Sequence, residues 1–248
     1  FVELIPDRKY KFADIAILVR ANSHAESVVQ NLRYFGIPYK LGGSRGLYSR
    51  EEIKVLIAFL RSLVDYKNEI FFYRVLSMPQ WSLSTKEFME INRVAREDKI
   101  SILEELEGIF GVNSENEEIT FTISNLGEKI FSEESRKGVE KLLTILNKCN
   151  NMIRENKSVG EILLYFVQES GYLEELIKEK DSLAEFKSNN LAKYFTTIHE
   201  YEKVNPESNI YEYVDFLNYS IEVGDSPLVD QSDFGDFDAV NILTVHSA

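Results

Sequence analysis

Two short runs at opposite ends of the chain constrain its fold more than anything between them. Residues 13–20 and 239–246 are each dense in Ile, Val and Leu, the composition of parallel strands buried on both faces. More than two hundred residues separate them, and nearly all of that stretch has helical period. The expectation is a mostly α protein, in which a small parallel α/β sheet sends out a large helical insert and receives it back. Both runs lie close to the ends, so the chain reads as a segment of something longer.

The first run leads into a βαβ half. Asn22 and Ser23 suit a helix N-terminus, and Ala25, Val28, Val29, Leu32 and Phe35 recur on one helical face. Gly36 and Pro38 stop that helix, residues 39–41 form a second strand, and Gly42 and Gly43 allow close backbone approach. Farther on, Ser-x-x-Glu signatures at Ser49, Ser84, Ser101, Ser158 and Ser182 read as capping boxes, each opening a helix. The spacing predicts helices over 50–66, 69–77, 85–97, 101–110, 118–131, 133–156, 158–170, 172–180, 182–203 and 209–223. Within 118–131, Ile119, Phe121 and Ile123 alternate as a strand would. Tyr194, Phe195, Ile198 and Tyr201 form an aromatic stripe at core spacing. Residues 224–238, with Pro227, two glycines and five aspartates, read as a flexible, solvated return linker.

Charge is distributed unevenly. The net −13 divides as +4 over residues 1–99, −5 over 100–168 and −12 over 169–238. Only the first third could face nucleic acid, whereas the last would repel phosphate and suits a basic protein partner. The lone cysteine, Cys149, excludes an internal disulfide, falls on an apolar helical stripe and fits a reducing cytoplasm. There is no apolar run long enough to span a membrane, and no secretory signal opens the chain. No phosphate-cradling Gly-x-x-x-x-Gly-Lys-Ser/Thr loop, nucleophile elbow or metal-ligand spacing occurs, so no self-contained active site is visible and no metal site is expected. What remains is Arg20 and His246, each at the carboxyl end of a strand, the edge where open α/β sheets bind ligands.

Residues 13–65 resemble motif IV and the following segment of superfamily 1 DNA helicases of the UvrD/PcrA/Rep type. The pattern Gly42-Gly43-x-x-x-Leu47-Tyr48-x-Arg50-x-Glu52-Ile53-Lys54 is the specific part. Residues 239–248 resemble the opening of motif V, and Ser170, Gly171, Tyr172 and the helix over 182–203 match the family's insert. The resemblance implies a RecA-like second motor domain (2A), the C-terminal motor of a P-loop NTPase, over 1–66 and 239–248. A helical 2B insert over 67–238 would include the acidic return linker 224–238. It implies ATP-dependent, 3′ to 5′ DNA unwinding in the parent, in repair, replication or recombination, with the segment inactive alone. ATP and Mg would act in the parent only, with Arg20 as an arginine finger to the nucleotide.

Thr244 and His246 would contact the single strand, and Gly42, Gly43 and Arg45 would lie near DNA. Where the family's insert carries a Gly-Ile-Gly turn holding duplex at a single/double-strand junction, this chain has Trp81, Ser82, Leu83 and Ser84. Its serines put a backbone-amide grip in doubt, and Trp81 packs inward or serves as an exposed wedge. Val19 stands where many members carry an adenine-stacking tyrosine. A helical protein-interaction module and a RecB/AddA-like helicase–nuclease are the alternative readings.

Overall fold

The computed structural model of the chain describes residues 10–20, 22–42, 46–115, 118–178, 182–223, 225–227 and 238–244. The chain forms two compact units, Phe1–Ser49 with Ser226–Ala248, and Arg50–Asp225.

In the first unit a 3₁₀ turn, Phe12–Asp14, precedes strand β1 (Ala16–Val19), helix α1 (Asn22–Tyr34) and strand β2 (Tyr39–Gly42). The last strand, β5 (Val240–Thr244), lies between the other two in the order β1-β5-β2, parallel to both. The two apolar runs are thus hydrogen-bonded neighbours, with Ile17 opposite Ile242 and Val19 opposite Thr244. β1 is shorter than the run that announces it. Asp14 turns back to accept the Lys11 N–H at 2.8 Å, and Asp238 accepts the Ala13 N–H at 2.9 Å.

α1 covers one face of this sheet. Ala25, Val29 and Leu32 pack with Val19 and Ile242, flanked by Ile17, Val28, Ile37 and Tyr39. Burial on both faces is not seen among the described residues, where α1 covers only one side. Leu18, whose side chain points to the opposite face, is 59% exposed. Phe35, expected on the apolar stripe of α1, lies beyond the helix end and is also exposed.

The second unit is helical. Its centre is α2 (Glu51–Val64), whose Ile53, Leu56, Phe59 and Leu60 are fully buried. α2 packs against α3 (Glu69–Leu76), α7 (Glu133–Arg154), α10 (Ser182–Val204) and α11 (Ile210–Glu222). Phe59 stacks on Phe166 of α8 (Val159–Ser170), with ring centroids 3.7 Å apart. α4 (Thr85–Asp98), α5 (Ile102–Phe110) and α9 (Tyr172–Lys178) complete the long elements. Packing against these four helices groups α2 with the second compact unit.

The region 118–131 is not one helix. An antiparallel pair, β3 (Asn113–Glu115) and β4 (Glu118–Thr120), precedes a short α6 (Asn125–Ile130). The alternation of Ile119, Phe121 and Ile123 is the strand signal that the helical reading overrode. Capping boxes form at Ser84, Ser101 and Ser158, but not at Ser49. That residue ends a 3₁₀ turn (Leu47–Ser49) with its hydroxyl donated to Gly46 O at 2.8 Å, and Arg50 takes the cap position. Glu52, freed from capping, accepts from Asn190 Nδ2 at 2.6 Å. The side chains at the Ser182 signature lie outside the described ones.

Tyr194 and Ile198 are fully buried, so the aromatic stripe of α10 is core. Cys149 is buried too, and burial pushes its thiol up to about 12, which keeps it protonated and inert at neutral pH. Among the described residues no helix is long and apolar enough to cross a membrane.

Candidate functional site

Parallel strands end on the same side of a sheet, and in open α/β sheets that carboxyl edge is where ligands sit. Here the register sets Gly42 of β2 opposite Leu243, and Val19 of β1 opposite Thr244. Arg20, Gly42 and Thr244 therefore stand side by side at the carboxyl ends of β1, β2 and β5. Arg20 is exposed, and among the described residues it has no hydrogen-bond or ion-pair partner. Gly42 and Thr244 are placed by their backbones. Gly43, Arg45 and His246 lie outside the described residues, as does most of the linker 224–238. Of that linker, Ser226 and Pro227 are tied down: Ser226 Oγ accepts the Tyr48 N–H at 3.1 Å, and Pro227 O accepts that of Leu47 at 2.9 Å.

The turn over 79–84 belongs to the helical unit. Trp81 closes a 3₁₀ turn (Pro79–Trp81), is 0% exposed and donates its indole N–H to Val75 O at 2.7 Å. It packs inward, so it offers no wedge to a duplex. Ser82 is exposed and takes the left-handed conformation, φ 54°, that a glycine would adopt without strain. Its N–H donates to Pro79 O at 3.0 Å. Ser84 caps α4, and its own N–H donates to Glu87 Oε2 at 2.7 Å. The amides at both serine positions are thus committed within the protein.

Glu87 is the residue that sequence reasoning passed over. Its carboxylate is buried and caps two helices at once. One oxygen closes the capping box with Ser84; the other accepts the Ser132 N–H at 2.7 Å and the Ser135 hydroxyl at the start of α7. Burial opposes its ionisation, but the Ser132 amide, the Ser135 hydroxyl and both Ser84 donors outweigh that and bring the carboxyl down to about 2. A folded-state value below the ordinary one gives stability that is complete above about pH 4.5 and lost as pH falls towards 2. At about 1.4 kcal/mol per unit the charge contributes about 3 kcal/mol. Glu87→Gln is therefore expected to lower unfolding free energy by about that much at pH 6 in denaturant titrations, the gap to wild type closing towards pH 2. A gap that stays constant with pH would mean that the cap acts through shape, not charge.

Further N-caps escaped the Ser-x-x-Glu search, Ser124 at the start of α6 among them. Ser132 accepts from Ser135 N at 3.3 Å, and Asn209 forms a capping box with Glu212. Admitting Asn to the first position finds the last.

Residues 2–248 match the family described as the UvrD-like helicase C-terminal domain. The chain is similar to the ATP-dependent DNA helicase PcrA of Staphylococcus epidermidis strain RP62A and to that of Staphylococcus aureus strain Mu50. Each is 23% identical over 240 residues, covering 96% of this chain but 29% of the relative. The chain thus spans less than a third of the length of these curated relatives. With a match along its whole length, this chain belongs to the UvrD-like helicase C-terminal domain family.

Proposed function

We propose that the chain is the piece of an ATP-dependent DNA helicase that carries part of its second motor domain and the helical insert. The observation carrying this reading is the shared carboxyl edge of three parallel strands, where an exposed arginine ends β1 next to Thr244 of the central strand, with Gly42 ending the third. ATP supplies the γ-phosphoryl group. This chain contributes one group to that chemistry, the Arg20 guanidinium, which stabilises negative charge on the transferring phosphate. The rest of the nucleotide site, with its Mg²⁺ ligands, falls to the remainder of the parent. An exposed cation with no partner among the described residues fits that role.

Thr244 and His246 then contact single-stranded DNA, and Gly42, Gly43 and Arg45 lie near its phosphates, where bare backbone can approach closely. At the insert, with the turn's amides engaged, contact with duplex passes through the exposed hydroxyls of Ser82 and Ser84, while Trp81 supports them from beneath. Translocation runs 3′ to 5′ in this reading, and the open face at Leu18 is where further motor elements pack. The test is ATP turnover by the whole protein with and without single-stranded DNA. DNA-stimulated hydrolysis is expected, with none from residues 1–248 alone; a whole protein indifferent to DNA would remove the reading.

A further inference from the structure

Helix α11 presents a surface that the motor chemistry leaves unused. Its inner face, with Ile210, Tyr213, Val214 and Leu217, is buried. Along its outer face Tyr211, Asp215, Tyr219 and Glu222 follow one another at i, i+4, i+8 and i+11, a single line on the helix. All four are exposed, Tyr211 by 50% and Tyr219 by 66%. Phe216 flanks the line and is held from behind by Tyr201, with ring centroids 4.7 Å apart, so the stripe rests on packed core. Among the described residues neither Asp215 nor Glu222 has an ion-pair or hydrogen-bond partner. Arg61 of α2 reaches α11 only at Asn218, donating its Nε–H to Oδ1 at 2.8 Å, and residues 204–238 themselves hold nine carboxylates and no lysine or arginine.

We propose that this stripe is a docking surface for an arginine-containing segment of a protein partner. The sign of the charge sets the class, because DNA, anionic lipid and a second copy of this acidic chain are all repelled. The tyrosines choose between the two cations, since a guanidinium stacks on an aromatic ring and pairs with a carboxylate, whereas an ammonium does so less well. The first three residues of the line rise by about 6 Å a step, close to the about 6.8 Å between alternate side chains of an extended strand. An extended segment with arginines alternating with small residues matches that rise. The inference is independent of the reading of Arg20.

The experiment measures binding of a fluorescent peptide alternating arginine with threonine to the whole protein, beside a lysine version and a DNA duplex. The arginine peptide is expected to bind several-fold more tightly than the lysine one. Tyr211→Ala with Tyr219→Ala, and separately Asp215→Asn with Glu222→Gln, should each weaken it about tenfold. Glu133→Gln with Glu134→Gln removes the same charge from α7 and should leave affinity within about twofold. Thermal midpoints report whether each variant remains folded; if the tyrosine pair does not, the charge pair decides. Failure of the arginine peptide to bind, equal affinity for the lysine peptide, or equal loss in the α7 control would overturn the proposal. So would a folded α11 variant that binds like wild type, or duplex binding lost with these substitutions.

Discussion

Replacing Arg20 by alanine in the whole protein is expected to lower ATP turnover about a thousandfold while leaving nucleotide binding nearly unchanged. Charge on the γ-phosphoryl oxygens develops in the transition state, so a cation placed there acts on the rate more than on ground-state affinity. The position supports such a role, since Arg20 follows β1 at the carboxyl edge, is exposed and has no carboxylate partner among the described residues. Arg20→Lys should recover only part of the loss, because an ammonium cannot match the planar fork of a guanidinium. Steady-state turnover paired with equilibrium binding of a non-hydrolysable nucleotide separates the two effects. Turnover within about twofold of wild type would end the assignment, and an equal fall in binding would make Arg20 a nucleotide anchor instead.

Gly138→Ala carries the largest expected effect on stability. Gly138 lies inside α7, where alanine would ordinarily favour the helix by up to about 1 kcal/mol. A Cβ built there, however, falls 2.1 Å from the carbonyl oxygen of Trp81 and 2.6 Å from its carbonyl carbon. These are backbone atoms of a turn whose indole is fully buried, so neither can yield cheaply. Overpacking of this kind costs roughly 3 kcal/mol or more, which outweighs the helical gain and leaves a net loss of about 2–3 kcal/mol. For a chain of this size the thermal midpoint should fall by about 5–10 °C. Gly108→Ala in α5 is the control. Nothing lies within 4 Å of its added carbon, so the same exchange should be neutral or mildly stabilising. An unchanged midpoint for Gly138→Ala would show that the turn over 79–84 moves freely over α7, and its rigidity would have to be abandoned.

Much of this was legible in the sequence, for reasons that differ by element. The two apolar runs gave the parallel pair because β-branched residues between turn signals leave few alternatives. Ser84, Ser101 and Ser158 marked helix starts because the capping box is a local device, complete within four residues. Ser49 failed because its neighbours on both sides set the local path: its hydroxyl is taken by Gly46 O, and Glu52 is drawn away by Asn190 on α10. The double cap by Glu87 was invisible because half of its donors come from 45 residues or more farther along. Trp81 was open to two readings from its type alone; the buried acceptor at Val75 O decided between them. At the sheet edge the sequence marked Arg20, but nothing short of the strand order could set it beside Gly42 and Thr244.

That strand order also governs when the first unit can assemble. β1 and β2 pair with β5 and not with each other, so the ribosome must add about two hundred residues after Gly42 before either finds its ladder. At about 5–20 residues per second the nascent β1-α1-β2 half waits some 10–40 s, while the helices rich in local contacts mature around their own core. The arginine edge can therefore close only after the helical stretch between β2 and β5 has been synthesised.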